Sequence, residues 1–460
     1  MSINYEHKTH VNSNVEDTFA WHERKGSFRR LMPPWEVAEE VRADDTLEEG
    51  AQRIFRFPMG PIKMKWIARH SKYNPPHSFE DDMLKGPFKS WHHKHQFSQN
   101  EDGTSVVLDK VNYRLPMGFL GKLVAGKMVR KRIERMFYAR QIRLERDLQR
   151  HSEFANLPRK RILVAGSSGL IGRQLVAFLD TGGHDVWRLV RRDVKKGEKE
   201  LKWLPESDEI NPDDIEGFDV IIHLGGAGIG DKRWSKKRMK LIEDSRVNST
   251  NLLANTIKNL SKKPELFMVA SAMGWYGERG DEVLTEKSEL GKGFLPRICN
   301  NWEQAANCIK DDGVRTINLR TGIVLDATGG ALGKMLLPAK LGGGGPIGRG
   351  KQWYSWISMD DQIYSMHHLI MKQECEGVYN LAAPEPVRQK KFARVLGKVL
   401  KRPAFIPTPP LAIWFLFGKM GVALTTESTR IIPEKLTESG YKFEHSKLEP
   451  ALRDSLGLWS

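Results

Sequence analysis

The sequence predicts an α/β protein in two parts, an N-terminal α+β domain and a larger domain built on a parallel sheet. Three observations lead to this fold class. Short extended segments separated by Gly/Pro turns precede one long amphipathic helix within residues 1–152. Residues 161–193 then run strand, glycine-rich turn, helix and strand. A further buried strand over residues 219–224 leads toward another helix, and a small C-terminal substrate subdomain completes the predicted fold class.

Length and composition are those of a globular chain with room for two or three domains. The chain has 460 residues, of which 40% are hydrophobic and 28% are charged. Its three cysteines, Cys299, Cys308 and Cys375, show neither metal spacing nor a disulfide framework, which indicates a reducing compartment. The N-terminal residues are polar, and the longest apolar run, residues 411–417, is too short for a bilayer. We therefore expect a cytoplasmic protein without a transmembrane segment.

Residues 162–165 form an apolar run typical of a buried parallel strand, and glycines follow it at every third position. Such glycines permit a tight turn, close approach of the backbone to a pyrophosphate and packing of the next helix on the sheet. The N-terminus of that helix attracts the anion. The alternative is a glycine-rich turn without a ligand. The sequence therefore predicts a dinucleotide site formed by Gly166, Ser167, Ser168, Gly169, Leu170, Ile171 and Gly172.

The second strand, residues 185–190, ends at Arg191 and Arg192. A protein that prefers NAD usually has an acidic residue here for the ribose 2′-hydroxyl, whereas arginines suit the 2′-phosphate of NADP. We therefore expect NADP as the cofactor, with NAD less favoured. Asp193 opposes this preference if it faces the ribose, and a solvated strand end is the other interpretation of the two arginines.

A second group of motifs lies downstream of this turn. A buried strand over residues 219–224 ends in Leu224-Gly225-Gly226-Ala227, the sequence Asp-Lys-Arg-Trp follows at 231–234, and Ser-Arg-Val lies at 245–247. Together with the glycine turn, these segments resemble the epimerase-family proteins of the extended short-chain dehydrogenase/reductase superfamily (the 39U group). The resemblance runs from residue 161 to the C-terminus. It implies a Rossmann-type NAD(P)-binding domain over 161–400 and a family-specific segment over 401–460, and it places residues 224–227 beside the cofactor's ribose.

The resemblance also implies a catalytic set that this chain lacks. Hydride-transferring members use Ser/Thr, Tyr and Lys, in which the tyrosine exchanges a proton with the substrate oxygen and the lysine lowers its pKa. Aligned on the Tyr-Gly pair at 276–277, the hydroxyl position falls on Ala272. Aligned on Glu303, the tyrosine position falls on Leu295 and the lysine position on Cys299. The usual triad is therefore absent from the sequence.

Other side chains near these positions are candidates for the missing chemistry. Tyr276 and Ser271 are the nearest groups that exchange a proton, and Arg320 is a candidate for binding an anionic substrate. Tyr276 is equally explained as a packed aromatic side chain, because membership of a fold does not establish its function.

The first 152 residues contain no glycine-rich nucleotide turn. Extended segments at 51–57, 63–70, 89–97 and 105–115 precede a long helix, which predicts an antiparallel sheet packed on that helix. This part resembles the START-like helix-grip superfamily of polyketide cyclases/dehydrases at residues 21–22, 31–34, 86–88 and 91–97. The resemblance implies an apolar ligand held between sheet and helix. A linker is predicted over residues 153–160, where Asn156 and Pro158 interrupt the pattern.

The predicted long helix is strongly basic. Residues 122–150 contain ten Lys/Arg and three Asp/Glu, within a net charge of +16 for the chain. That charge permits nucleic acid as a partner. No zinc-finger or aromatic RNA-binding signature accompanies it, so nucleic acid is not favoured. We expect one face of the helix to be basic and the other to be buried through Leu120, Leu123, Val124, Met128, Ile133, Met136, Phe137, Leu144 and Leu148.

Histidines alternate with aromatic residues in the segment 91–97. In a strand, Trp91, His93, His95 and Phe97 share one face. Two histidines at this spacing are able to contribute to a metal site, but no cysteine or further histidine is placed by a motif to complete it. We therefore expect hydrogen-bonded histidines packed beside aromatic rings, and no metal.

Taken together, these patterns predict an NADP-binding oxidoreductase or epimerase-like protein that acts on a small molecule, with a non-standard or lost catalytic triad. One alternative is a non-catalytic NADP-binding protein coupled to an apolar-ligand-binding domain. Another is a basic scaffold that binds nucleic acid, for which a steep dependence of binding on salt would be diagnostic. The sequence does not identify the substrate.

Overall fold

The computed structural model describes residues 2–59, 62–116 and 118–459. The chain forms two compact units. The first comprises residues 1–158 with 177–184, and the second comprises residues 159–176 and 185–460. The helix over Leu170–Thr181 is divided between the units, because residues 177–184 cluster with the first one.

The first unit is an antiparallel sheet with a long helix at its C-terminal end. Its elements are β1 (Ile3–Val11), α1 (Val15–Glu23), α2 (Ser27–Leu31), β2 (Glu39–Ala43), β3 (Gln52–Met59), β4 (Ile62–Asn74), β5 (Ser78–Lys85), β6 (Ser90–Gln99), β7 (Ser105–Arg114) and α3 (Gly118–Ser152). Over the described residues, the strand order is β1-β7-β6-β5-β4-β3-β2. Each strand from β2 to β7 therefore pairs with the next strand in the sequence, and β1 is added beside β7.

The four strands predicted for this unit are confirmed as β3, β4, β6 and β7, and three others were not predicted. Strand β1 illustrates why. Tyr5, Thr9 and Val11 are buried, but exposed charged residues such as Glu6 and Lys8 separate them. Because one face is strongly polar, β1 lacks the apolar run that identified its neighbours, and its alternation becomes clear only beside β7.

Helix α3 buries only part of the face that its periodicity predicts. Ile133 and Phe137 are buried, and the Phe137 ring centroid lies 5.3 Å from that of Tyr5 on β1. The prediction was wrong for the start of the helix, where Leu123, Val124 and Met128 are exposed. A helix of 35 residues is about 52 Å long, whereas a ten-residue strand spans about 33 Å, so the sheet does not cover its whole length. The side chain of Leu120 lies outside the described residues.

The second unit is an α/β unit with the predicted Rossmann-type sheet. Its helices and strands are β8 (Arg161–Ala165), α4 (Leu170–Thr181), β9 (Asp185–Val190), β10 (Glu200–Leu204), β11 (Glu209–Ile210), α5 (Pro212–Ile215), β12 (Val220–His223), α6 (Lys236–Lys258), β13 (Leu266–Ala272), β14 (Val283–Leu284), α7 (Phe294–Asn307), β15 (Arg315–Thr321), β16 (Ile323–Leu325), α8 (Gly330–Lys340), β17 (Trp353–Tyr354), β18 (Trp356–Ser358), α9 (Met359–Met371), β19 (Gly377–Leu381), β20 (Val387–Arg388), α10 (Gln389–Leu400), α11 (Pro410–Thr426), β21 (Arg430–Ile431), α12 (Glu434–Glu438) and α13 (Leu448–Leu456).

The main sheet of this unit has the order β11-β10-β9-β8-β12-β13-β15-β19 over the described residues. Its strands are parallel except for β11, which pairs antiparallel with β10. The chain leaves β8 toward β9 and β10, and then crosses to β12 on the other side of β8. In such sheets, ligands bind outside the carboxyl ends of the strands at the point where the order reverses. The topology therefore marks the ends of β8 and β12 as a binding crevice.

The C-terminal segment belongs to the same compact unit as the parallel sheet. Leu448, Leu452 and Leu456 on α13 share a hydrophobic core with Ile323 and Leu325 on β16. Helix α11 is apolar but contains a break, because Gly418 has a non-helical φ of 64°. In the described part of the chain, no helix combines the length and apolar character needed to cross a bilayer.

Candidate functional site

The turn between β8 and α4 has the backbone geometry that a dinucleotide motif requires. Gly166 has a φ of +81°, which residues with a side chain rarely adopt. A Cβ added there would lie 2.7 Å from the amide nitrogen of Gly225, and one added to Gly172 would lie 2.2 Å from the carbonyl oxygen of Gly166. These two positions therefore require glycine for packing alone, which keeps the ends of β8 and β12 in close contact.

Gly169, the middle glycine of the motif, faces outward. A Cβ added to Gly169 would meet only the Gly166 carbonyl oxygen, at 3.2 Å, and Gly169 is exposed together with Ser168. Leu170 and Ile171 then begin α4, whose first N–H groups have no partner within the helix. The turn thus leaves open space in front of a helix N-terminus, the arrangement that accepts a phosphate.

The turn after β12 is held by the Ser-Arg pair that the sequence singled out as a motif. The N–H of Ala227 donates to Oγ of Ser245 at 2.9 Å, and Nη1 of Arg246 donates to the carbonyl oxygen of Ala227 at 2.9 Å. A Cβ added to Gly226 would lie 3.0 Å from Cζ of the Arg246 guanidinium. The predicted site residues Leu224, Gly225, Gly226 and Ala227 therefore line the crevice beside Gly166, and α6 fixes their backbone.

The two arginines at the end of β9 have different surroundings. Nη1 and Nη2 of Arg192 donate to the two carboxylate oxygens of Glu200, at 2.8 and 2.6 Å, and the Glu200 side chain is fully buried. Arg191 is exposed, and among the described residues no ion pair engages it. Asp193, the acidic residue that would favour NAD, contacts Nζ of Lys202 at 2.7 Å. Arg191 is therefore the more available of the two cations at this strand end, and Asp193 already has a basic partner.

A cavity of about 210 Å³ lies at the carboxyl ends of β13 and β15. The lining residues come mainly from the strand ends, from helix α7 and from the chain near the end of α11, with others from α6, β16, β17 and the turn after β12. Most of the lining is apolar. The lining residues are Ile229, Arg246, Ala272, Met273, Gly274, Leu295, Ile298, Cys299, Trp302, Thr321, Gly322, Ile323, Trp353, Tyr354, Ala423, Leu424, Glu427 and Thr429.

The three positions at which the triad was sought all line this cavity. Ala272 ends β13, and Leu295 and Cys299 lie one turn apart on α7. The Cys299 thiol points toward the Ala272 carbonyl oxygen, with Sγ and the oxygen 3.8 Å apart. Among the described lining residues there is no lysine. The three aligned positions therefore lie together in one cavity, and their side chains supply no hydroxyl, phenol or amine.

The alternative candidates Tyr276, Ser271 and Arg320 also come together, but in a buried network that the cavity lining does not include. Nε and Nη2 of Arg320 each donate to a carboxylate oxygen of Glu303 at 2.9 Å. The Ser271 hydroxyl donates to Glu303 at 2.6 Å. Nη1 of Arg320 donates to the Tyr276 oxygen at 3.2 Å, and that hydroxyl in turn donates to Oδ1 of Asn380 at 2.6 Å.

This network corrects the role expected of these side chains. Tyr276 is 0% exposed, and burial raises the pKa of its hydroxyl to about 12, which is opposite to the lowered pKa that an acid/base tyrosine needs. The Arg320 guanidinium stacks on Trp275 at 3.6 Å and is paired with Glu303, so it offers no free charge to a substrate. The geometry favours a structural role, in which strand β15 is joined to α7 and the turn after β13.

Glu427 was missed by the sequence reasoning and is the carboxyl group of the cavity wall. It follows α11, and burial together with nearby Glu278 raises its pKa. Burial raises the pKa of the Cys299 thiol to about 12, so the thiol is protonated at neutral pH. Burial also lowers the pKa of Arg246 to about 10, and its guanidinium remains charged at neutral pH. A raised carboxyl pKa in an apolar cleft is typical of a general acid. No local motif marks Glu427, because its place in the cavity depends on the fold of the last 60 residues.

Comparisons with known proteins agree with this architecture. A profile of the NAD dependent epimerase/dehydratase family matches residues 162–382, and a Domain of unknown function (DUF1731) matches residues 408–455. An epimerase family protein of Mycobacterium bovis, Mb2239, is 34% identical over 291 residues, which is 63% of this chain and 96% of that protein. The chain belongs to the epimerase family.

Two solved structures extend the comparison within this family. The nucleoside-diphosphate sugar epimerase from Corynebacterium glutamicum matches with a TM-score of 0.80 and 31% identity, over 99% of this chain and 90% of that one. The match therefore includes the first unit, to which no family profile was assigned. Human epimerase family protein SDR39U1 (isoform 2), solved with NADPH, matches with a TM-score of 0.60 and 31% identity, over 64% of this chain and 99% of that one.

Proposed function

We propose that this epimerase-family chain binds NADP(H) at the β8–α4 turn and uses the cavity at the ends of β13 and β15 for a reaction without the Ser-Tyr-Lys triad. The observation that carries the proposal is that Ala272, Leu295 and Cys299 line one cavity in which Glu427 is the carboxyl group. Gly166, Gly169 and Gly172 would hold the pyrophosphate, with residues 224–227 beside the ribose. Arg191 would contact the 2′-phosphate. The relative crystallised with NADPH supports this choice of cofactor.

The character of the cavity supports a small, largely apolar carbonyl or enone substrate. Its volume of about 210 Å³ is below the range of roughly 300–1,000 Å³ that is usual for drug-sized ligands. NADPH supplies a hydride when it is bound, so the protein must deliver a proton to the substrate oxygen. Glu427 is protonated over a wider pH range than an ordinary carboxyl, because burial raises its pKa. We assign it the role of proton donor.

Deuterium transfer tests the proposal directly. The protein is incubated with NADPH deuterated at C4 on either face and with a panel of small ketones, aldehydes and enones, and products are analysed by mass spectrometry. Glu427→Gln should lower kcat by about 100-fold with little change in KM, because a general acid contributes roughly 10²–10⁴-fold. Glu374→Gln, in which an exposed glutamate is changed, is the matched control and should leave the rate unchanged.

A second candidate function follows from the lost triad itself. If the protein binds NADPH with micromolar affinity but transfers deuterium to no compound, the result would favour a non-catalytic NADP-binding protein. If Glu427→Gln transfers deuterium as fast as the wild type, the assignment of the proton donor is wrong while the oxidoreductase function stands.

We also infer that the first unit is a START-like helix-grip domain. The strand order β1-β7-β6-β5-β4-β3-β2, with two helices after β1 and one long helix after β7, supports this assignment. The inward face of β6 carries Trp91 and Phe97, but His93 and His95 lie between them. Because these imidazoles are polar, the interior is not uniformly apolar, and a purely hydrocarbon ligand is not the occupant that it suits best.

A further inference from the structure

We propose that the first unit contains a site for a divalent transition-metal ion, formed by Asp81, His93 and His95. Strand β6 lies between β5 and β7, and the sheet register brings the side chains together. Asp81 on β5 pairs directly with His93, and His95 pairs directly with Asp109 on β7. The four residues therefore form a compact patch on three neighbouring strands.

The ligand atoms have separations that suit a small metal ion. Oδ2 of Asp81 lies 3.5 Å from Nδ1 of His93 and 3.7 Å from Nε2 of His95. All three residues offer one ligand atom within 4.8 Å of the others. Zinc bonds of about 2.0–2.2 Å in a tetrahedral arrangement place neighbouring ligand atoms about 3.3–3.6 Å apart. Small shifts of side chains would therefore bring the three atoms to bonding distance of one ion.

Asp109 occupies the position of an outer-shell partner for both histidines. Its Oδ1 lies 2.9 Å from Nε2 of His93, in hydrogen-bond geometry. The same oxygen lies 2.7 Å from Nδ1 of His95, although this contact lacks the alignment of a hydrogen bond. On each ring, the nitrogen that faces Asp109 is the one opposite to that facing Asp81. Metal-bound histidines characteristically donate their second N–H to a carboxylate, which fixes the tautomer and aims the free nitrogen at the metal, and the contact between His93 and Asp109 has this geometry.

The surroundings of the Asp81, His93 and His95 cluster favour binding of a positive ion. The four side chains are between 5% and 16% exposed, so two carboxylates are held largely away from water. The imidazole centroids of His93 and His95 are only 3.8 Å apart, and two protonated rings at that distance would repel each other. Two imidazoles and one carboxylate are the donors found in catalytic zinc sites and in non-haem iron sites, both of which keep coordination positions open.

Other charged and titratable groups also face the cluster. His22 lies with its ring centroid 6.4 Å from that of His95, His70 is close enough to Asp81 to interact electrostatically, and the Arg140 guanidinium acts on both Asp81 and Asp109. Arg140 offsets part of the carboxylate charge, but it does not coordinate a metal because guanidinium has no lone pair to offer.

The test uses the full-length protein after treatment with a chelator. Zn²⁺ titrated by calorimetry should bind with one equivalent, and Co²⁺ should give visible absorption bands of an ion with nitrogen and oxygen ligands. His93→Gln and Asp81→Asn should each weaken Zn²⁺ binding at least tenfold, and Asp109→Asn should weaken it by roughly 10–100-fold, the usual loss for an outer-shell partner. His92→Gln is a matched control and should change nothing, because His92 lies on the outer face of β6 and contacts Asp82.

Two results would overturn the proposal. One is a wild-type protein that shows neither stoichiometric Zn²⁺ binding nor Co²⁺ bands, which would mean that the cluster is a histidine–carboxylate network without a metal. The other is a loss of Zn²⁺ affinity in His92→Gln as large as in His93→Gln, which would mean adventitious surface binding. The Co²⁺ spectrum needs no variant, so the proposal stays open to refutation even if the inner-face variants fail to fold.

Discussion

The buried ion pair between Glu303 and Arg320 predicts a large loss of stability when one partner is removed. Glu303 accepts three short hydrogen bonds, two from Arg320 and one from Ser271, and both charged side chains are 4% exposed or less. Glu303→Gln keeps the shape but removes the charge, so the Arg320 guanidinium remains buried without compensation. Breaking a buried pair in this way costs about 3–5 kcal/mol. We therefore expect the free energy of unfolding of the second unit to fall by that amount.

A surface pair provides the matched control. Arg279 and Glu282 make the same two-point contact, at 2.6 and 2.7 Å, but the Glu282 side chain is 47% exposed. Glu282→Gln should cost less than about 1 kcal/mol, because water already screens the exposed pair. Because the hydrogen-bond geometry is the same in the two pairs, the difference between the free energies lost in the two glutamine variants measures the effect of burial.

The assay is urea unfolding followed by circular dichroism and tryptophan fluorescence. Because the chain has two compact units, it is not expected to unfold in one step, and the transition of the second unit is taken as the one that NADPH shifts. The double variant Glu303→Leu/Arg320→Met should be more stable than Glu303→Gln, since no charge is left unpaired. The reasoning would be refuted if Glu303→Gln lowered the free energy of unfolding by less than about 1 kcal/mol. It would also be refuted if the loss in the double variant equalled the sum of the losses in the two single variants.

Three further predictions concern the cofactor site and the pH dependence of stability. Gly169→Val should weaken NADPH binding while the protein remains folded, because the new side chain meets only one backbone atom and fills the space before the turn; unchanged calorimetric affinity would contradict this. Arg191→Ala should weaken NADPH binding about tenfold or more and leave NADH unchanged, since a charge-assisted hydrogen bond contributes roughly 1.5–3 kcal/mol; equal losses for both cofactors would assign Arg191 to a solvated strand end. Burial lowers the pKa of His223 to about 3, so this ring is neutral in the folded protein and takes up a proton on unfolding as the pH falls below about 6.5. The folded protein is therefore unaffected by this ring above about pH 6.5, and the ring lowers the free energy of unfolding as the pH falls toward the folded pKa, by about 2 kcal/mol at pH 5. His223→Gln should remove this share of the loss of stability in acid. If the melting temperature of the variant depends on pH as steeply as that of the wild type, other groups cause the loss.

The dinucleotide turn was the most predictable part of this protein. Its strand, glycines and helix lie within about 30 residues, and each signal depends on the local backbone. Gly166 needs a positive φ, and Gly172 needs room for a carbonyl oxygen, so the residue types reveal the requirement directly. The absence of the triad was equally accessible, because side chains without a hydroxyl, phenol or amine at the aligned positions exclude its chemistry wherever they lie.

The roles of individual polar side chains were much less predictable. Tyr276 and Arg320 looked available for chemistry, yet burial and Glu303, which lies on another element, give them a structural role. Arg191 and Arg192 are adjacent and identical in type, and only the buried Glu200 on the neighbouring strand distinguishes them.

The glycine turn, with its flanking strand and helix, and the missing triad therefore follow from the amino-acid sequence alone, because they depend on backbone sterics and on residue type. The partners of Asp81, Arg192 and Tyr276 were decided only by the tertiary structure. Strand register sets which side chains face each other, and burial sets how strongly their charges interact, since desolvated groups must find partners that water would otherwise supply. Both depend on residues distant in the chain, and no short motif carries that information.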